Sequence, residues 1–224
     1  DVLFQKTLGQ YFNLDTSPDP PAGSLRALEI DDADSLERLI AAQPPEMADP
    51  SQPNVSGVMT GKLYSAFPAA VVFAAALFDR ALPVDRNTVR IQPGGSHGFR
   101  FWIPEEALVA APQLAADPAR RSELLRDLLE ELFERHVAAV WKRLAEHTGA
   151  DLRSLWSLLS TNLATMFLRS EQEPYRSRLG ITEKRREQLR TDEELLFAQG
   201  ARGPFPQRSR NPLRQATRLF TPPA

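Results

Sequence analysis

The sequence contains no cysteine in its 224 residues, so it can form neither a disulfide bond nor a thiolate metal site. It has only three histidines, and they do not stand at the spacings that zinc sites use. The phosphate-binding loop, the HExxH zinc motif and the nucleophile elbow of hydrolases are absent as well. Residue chemistry alone therefore predicts no catalytic constellation of a known kind.

The sequence has little net charge, -2 at pH 7, which favours no particular partner, and we expect no nucleic-acid partner. Acidic residues predominate over residues 1–50, whereas basic residues predominate over residues 176–218. The acidic front and the basic tail can pair with each other. Alternatively, the basic tail can present a face to an anionic ligand or partner.

No apolar run is long enough to suggest a membrane span. The longest uncharged run covers residues 63–78 and contains Pro68, whereas a membrane span needs about 20 apolar residues. Because this run is apolar on every side, it predicts a buried helix over residues 63–82 that Pro83 ends. We therefore expect a soluble cytoplasmic protein.

Amphipathic helices dominate the second half of the sequence. Asp117 is a predicted N-cap, and the helix that follows it should end at Gly149. Asp151 should cap a second helix that packs antiparallel to the first, and a charged third helix is predicted over residues 182–199.

The clearest β signal lies over residues 88–103, where two runs of β-forming residues flank a glycine-rich turn and predict a hairpin. Together with the helices, this hairpin predicts an α+β fold that is predominantly helical, with a β-hairpin or a small antiparallel sheet. Arg100 and Trp102 share one face of the second strand, and His97 lies in the turn. A stacked Arg–Trp pair could form a ligand platform, although exposed cross-strand pairs also stabilise hairpins without any ligand.

Other polar residues of the long helix are interpreted as structural. His136 stands at the edge of the apolar stripe and is predicted to be a boundary residue. Glu130, Glu131 and Glu134 are predicted to form a solvated helix face rather than a carboxylate site.

Three segments, in order, resemble the FhuF-like ferric-siderophore reductase family. Residues 61–72 resemble its aromatic-rich helix that contains a proline, and residues 82–84 resemble the exit from that helix. Residues 101–103 are similar to its phenylalanine–tryptophan strand. Residues 155–157 resemble the start of its tryptophan–serine–asparagine helix, but Leu158 stands where the family has asparagine.

The ranges between 61 and 103 form the first of the three segments, and residues 155–157 form the second. The third, residues 211–214, is similar to the asparagine–proline–leucine stretch that precedes the iron–sulfur segment in the family. The resemblance implies an N-terminal region over residues 1–56 and a reductase body over residues 57–224. It further implies a [2Fe-2S] cluster held by four cysteines, which would have to lie beyond Ala224.

The function that the resemblance implies is one-electron reduction of a ferric siderophore of the hydroxamate type, which releases ferrous iron. It also implies a cellular electron donor and peripheral association with the inner membrane or a siderophore transporter. The candidate substrate-binding residues are Arg100, Trp102, His97, Arg208 and Arg210.

Two other functions stay open at this point. A related fold occurs in the C-terminal region of the carboxylate–amine ligases that build siderophores, so the chain could bind or help to make a siderophore without reducing iron. It could also be a regulatory or interaction module that uses its basic tail.

Overall fold

The structure is a computed structural model, and it describes residues 2–44, 51–94, 98–110, 113–114 and 117–215. Most of these residues are helical, and a small sheet lies among the helices. The predicted α+β, predominantly helical fold class is therefore confirmed. Buried residues close to the start of the chain, including Phe4 and Leu8, belong to the same hydrophobic core as the later helices.

The α-helices of the described ranges are α1 (Val2–Phe12), α2 (Ala33–Ala41), α3 (Pro53–Tyr64), α4 (Ala66–Phe78), α5 (Glu105–Ala110), α6 (Pro118–Glu130), α7 (Ala138–Thr148), α8 (Leu152–Ser170), α9 (Tyr175–Arg178) and α10 (Glu183–Phe197). A π-helical segment, Glu131–Val137, joins α6 to α7 without a break in helical backbone. Short 3₁₀ turns cover Ala27–Asp31, Gly200–Arg202 and Pro212–Gln215.

The predicted hairpin forms, and two further strands extend it. Strands β3 (Arg90–Gln92) and β4 (Arg100–Trp102) pair antiparallel, with the buried side chains of Ile91 and Phe101 opposite each other. The strand β2 (Leu25–Arg26) joins β3 antiparallel, whereas β1 (Leu14–Asp15) joins β4 in parallel. The sheet is therefore mixed, which the local sequence pattern of the hairpin could not indicate.

The predicted helix over residues 63–82 differs from the observed one at both ends. Helix α3 begins ten residues earlier, at Pro53, and the helix is interrupted at Ser65 before α4 starts. Pro68 explains the break, because a proline has no N–H to bond the carbonyl of Tyr64, one turn earlier. Helix α4 ends at Phe78 rather than near Pro83 because Asp79 adopts a left-handed conformation, with φ of 53°.

The helical stretch 53–78 is long and apolar enough to cross a membrane by length and composition, but 72% of its apolar window is buried inside the protein. Its close packing depends on two glycines of α3. A methyl group added at Gly57 would collide with Thr148, and one added at Gly61 would collide with Leu155. Both glycines therefore let α3 approach α7 and α8 more closely than any other residue would allow.

The predicted caps of the following helices are confirmed. The Asp117 carboxylate accepts a hydrogen bond from the backbone N–H of Arg120 at 2.8 Å, at the start of α6. Gly149 takes a left-handed conformation at the end of α7. The Asp151 carboxylate accepts from the backbone N–H of Ser154 at 2.9 Å, at the start of α8. The two carboxylates satisfy backbone N–H groups that the start of a helix leaves without partners.

A network of buried charges joins α6, α10 and the end of α4. The guanidinium of Arg121 donates to both carboxylate oxygens of Asp192, at 2.5 and 2.9 Å, and both side chains are 4% exposed. Arg121 also donates to Asp79, which accepts two further bonds from Arg185. Burial alone would raise the pKa of Asp79, but the hydrogen bonds from Arg185 and Arg121 hold this pKa below its usual value.

We expect Asp192→Ala to destabilise the fold by about 3–5 kcal/mol, because it leaves the Arg121 guanidinium buried and without its main partner. Arg120→Ala is the matched control, since the exposed pair of Arg120 with Glu123 contributes at most about 1 kcal/mol. Chemical denaturation of both variants measures the two free energies of unfolding.

The double variant Arg121→Met/Asp192→Leu should recover at least half of that loss, because it removes both charges and fills the space with apolar atoms. Equal stability of Asp192→Ala and Arg120→Ala would contradict the assignment of this network as a stabilising core element.

Candidate ligand-binding cleft

A cleft of about 370 Å³ opens between α4 and α8, close to the C-terminal ends of α1 and α3. This volume is within the range of about 300–1,000 Å³ that is usual for small-molecule sites. The residues that line it are Tyr11, Phe12, Lys62, Ser65, Ala66, Ala69, Phe73, Asn162, Thr165, Met166, Arg169, Ser170, Tyr175 and Leu179.

Helix periodicity places these side chains together. On α4, Ala66, Ala69 and Phe73 recur at intervals of three and four residues and therefore share one face. On α8, Asn162 and Arg169 stand seven residues apart and also share a face. The two alanines have short side chains, so they leave space between the helices where larger residues would close it.

The cleft is positively charged. Lys62 and Arg169 are exposed, and within the described ranges neither side chain has an ion-pair partner. None of the 14 lining residues is acidic. The acidic residues nearest to Arg169 along the chain are already paired, because Glu171 bonds Arg190 at 3.1 Å and Glu173 bonds Arg176 at 3.0 Å. The cleft therefore favours an anionic ligand.

The walls of the cleft are largely apolar and aromatic. Phe12 and Phe73 pack with their ring centroids 5.0 Å apart, and Met166 and Leu179 add further apolar surface. Tyr11, which is 44% exposed, and Tyr175 bring aromatic rings with polar ends to the cleft. A ligand that combines an anionic group with an apolar body matches this lining.

The predicted platform of Arg100 and Trp102 does not face solvent as a pair. Arg100 is exposed, but Trp102 is only 6% exposed, and its indole N–H donates to the backbone carbonyl of Ser17 at 2.9 Å. The parallel strand β1 and the residues after it cover this tryptophan. Trp102 is therefore a core residue, which corrects the interpretation of its strand face as exposed. His97 lies outside the described residues.

The other two predicted binding residues lie near the end of the described chain. Arg208 forms a bidentate ion pair with Glu134, at 2.7 Å for both bonds, and its guanidinium lies over the rings of Trp156 and Phe205. Glu134 is thus paired, whereas the sequence predicted a solvated carboxylate. Arg210 is exposed and has no ion-pair partner within the described residues. Arg100, Trp102, Arg208 and Arg210, the predicted binding residues that the structure describes, do not line the cleft.

Sequence reasoning missed the cleft because its walls come from distant parts of the chain. Lys62 lies within the segment 61–72 that was compared with a known family, but a single lysine at a helix end carries no functional signal. Arg169 and Asn162 lie on the polar face of an amphipathic helix, where such residues are ordinary. Only their common position around one cavity distinguishes them.

His136 is fully buried, which corrects its prediction as a boundary residue. Its Nδ1 lies 2.6 Å from the carbonyl oxygen of Val84, and its Nε2 lies 2.6 Å from the hydroxyl of Tyr64. Because a carbonyl only accepts, Nδ1 carries the hydrogen and Nε2 accepts from the tyrosine. Burial lowers the pKa of His136 to about 4, so the imidazole is neutral at physiological pH.

Across the part of the chain that the structure describes, no group of three or more His, Asp or Glu side chains could hold a metal ion. The whole sequence has no cysteine, so it cannot supply the thiolates of a [2Fe-2S] cluster. The residues present therefore do not fit that cluster.

Comparisons with protein-family models, with curated proteins and with solved structures found no match to this chain.

The buried neutral His136 should make the protein less stable at acidic pH. The unfolded chain binds a proton at the ordinary pKa of about 6.5, whereas the folded protein binds it only near 4. The contribution is fully present above pH 6.5 and is lost as the pH falls toward 4. Between pH 6.5 and pH 5 it should lower the free energy of unfolding by about 2 kcal/mol.

His136→Gln cannot titrate, so its free energy of unfolding should fall less steeply over that pH interval than that of the unmodified protein. Urea denaturation of both proteins at several pH values measures the difference. Parallel profiles would contradict the assignment of a buried neutral histidine.

Proposed function

We propose that this protein binds a ferric siderophore complex in the cleft at Lys62 and Arg169, as the substrate-binding body of a ferric-siderophore reductase. The observation that carries the proposal is that one cavity combines two cations, which have no acidic partner within the described residues, with an apolar, aromatic wall. The three segments that resemble the FhuF-like family supply the identity of the ligand.

The chemistry of ferric siderophores suits such a cleft. These chelates surround a hard ferric ion with oxygen donors on an organic backbone, so they present both polar oxygens and apolar surface. Lys62 and Arg169 can donate to the oxygens, while Phe12, Phe73 and Met166 can contact the backbone. The chain's own residues would bind and orient the chelate.

Release of iron follows from reduction, because siderophores hold ferric ion far more tightly than ferrous ion. The ferric ion is the substrate and gains one electron. The electron has to come from a one-electron donor outside this sequence, since the sequence holds no cysteine for an iron–sulfur cluster.

A second candidate is a siderophore-binding or siderophore-biosynthesis protein that does not reduce iron. The observation that favours it is the same absence of cysteine, because binding requires no redox centre within the chain. Both candidates use the cleft in the same way, and they differ only in whether bound iron becomes ferrous.

Titration calorimetry with ferric siderophore chelates tests the binding step. We expect Lys62→Ala and Arg169→Ala each to weaken binding by about tenfold, because each removes one charged donor worth about 1.4 kcal/mol. Arg153→Ala, on the same helix as Arg169 and exposed, and Lys142→Ala, on α7, are controls that should leave the affinity unchanged. Absence of binding to any ferric chelate would refute the proposal.

Ferrous-iron capture tests the redox step. With a ferric chelate and a reduced [2Fe-2S] ferredoxin as donor, the protein should accelerate the appearance of ferrous iron, and the variant Lys62→Ala/Arg169→Ala should lose that acceleration. Binding without any acceleration would support the non-redox candidate instead.

A further inference from the structure

We infer that the cleft selects ferric chelates of net negative charge over neutral ones. The inference rests on the proposed function and narrows its substrate class. It rests on two cations, Lys62 and Arg169, that line the cavity and have no ion-pair partner within the described residues.

Acidic residues close to the cleft along the chain are already taken by basic partners. Glu173 bonds Arg176, and Glu171 bonds Arg190. Lys62 and Arg169, which line the cavity itself, have no ion-pair partner within the described residues, and none of the lining residues is acidic. The protein therefore leaves the charge of these two cations available to a ligand.

The uncharged polar groups of the cavity add to this preference. The hydroxyl hydrogens of Ser65 and Ser170 are donated to carbonyls of their own helices, at 2.8 and 2.7 Å. The amide of Asn162 is exposed and has no partner within the described residues, so its N–H groups are free. Together with Lys62 and Arg169, it gives the cavity three groups that donate hydrogen bonds to a ligand.

A neutral chelate would accept hydrogen bonds through its oxygens, but it would bring no net charge to compensate for the water removed from two cations, which is unfavourable. An anionic ligand would replace that water with charge-assisted hydrogen bonds. The same two residues therefore oppose a neutral chelate and favour an anionic one, which is how a binding site gains selectivity.

Siderophore chelates differ in this respect by simple charge balance. Three hydroxamates carry one negative charge each and neutralise the ferric ion, so their chelate is neutral. Catecholates carry two charges each. A citrate-based dihydroxamate binds the ferric ion with two hydroxamates, a carboxylate and the ionised α-hydroxyl of citrate, which together carry four negative charges. Both therefore give anionic chelates. Among hydroxamates, we therefore expect the cleft to prefer those with additional carboxylates. Catecholate chelates are anionic too, so we expect the cleft to bind them as well.

Affinity measurements over a charge series test the inference. The probes are the ferric complexes of a neutral trihydroxamate, a citrate-based dihydroxamate and a tris-catecholate, together with the iron-free form of each. At low salt, both anionic chelates should bind at least about tenfold more tightly than the neutral one. Because exposed charges are screened by salt, this preference should shrink as salt is added.

Lys62→Gln/Arg169→Gln should bind all three chelates with similar affinity, since it keeps polar side chains but removes the charges. Arg153→Gln/Lys142→Gln removes two charges outside the cleft and should keep the preference. Equal or tighter binding of the neutral chelate by the unmodified protein would overturn the inference and leave the proposed function standing. Absence of binding to all ferric complexes would refute both. Equal binding of the iron-free forms would also refute both, because their hydroxamic acid and catechol groups are largely protonated at neutral pH, and such binding would depend neither on the metal nor on the charge of the chelate.

Discussion

Helix α4 has no polar face, and the rest of the structure is arranged to cover it. Ten of its 13 residues are buried, and they include alanines and valines on every side. Helices α1, α3, α8 and α10 all contact it, because an apolar helix of this kind is stable only when it is surrounded. The cleft lies where this cover is incomplete, beside Ala66 and Ala69, at the end of α4 that follows the break at Ser65.

Covering α4 from several sides brings polar groups into the core, and Arg121 and His136 have specific partners there. Arg121 reaches the carbonyl of Ala75 on α4 while it pairs with Asp192, so one guanidinium joins three helices. His136 bonds Tyr64 and Val84 and stacks on Phe67 at 5.1 Å. Most buried polar groups in proteins are hydrogen-bonded in this way. Lys62 and Arg169 contrast with Arg121, because they are exposed and have no ion-pair partner within the described part of the chain.

Local features of the sequence predicted local structure well. The caps at Asp117 and Asp151, the stop at Gly149 and the β-hairpin depend on a few neighbouring residues, and they are present as expected. Pro68, one turn further on, also indicates the break at Ser65. The prediction of one continuous helix was wrong because it gave more weight to the apolar composition of the segment than to this proline.

Features that depend on distant segments could not be predicted. The parallel pairing of β1 with β4 buries Trp102, and no local pattern indicates that pairing. The cleft likewise assembles residues from α1, α3, α4 and α8, and none of these segments alone indicates a binding site. For the same reason the binding residues predicted from the hairpin and the basic tail, as far as the structure describes them, do not line the cleft.

We propose that Lys62 and Arg169 hold an anionic ferric chelate in the cleft between α4 and α8. The anomalous scattering of iron, measured from crystals grown with a citrate-based ferric dihydroxamate, locates the bound metal. We expect one iron site in this cleft, with chelate oxygens bonded to Lys62 and Arg169. An iron site beside Arg100 on the hairpin, or crystals of the complex without iron in the cleft, would contradict it.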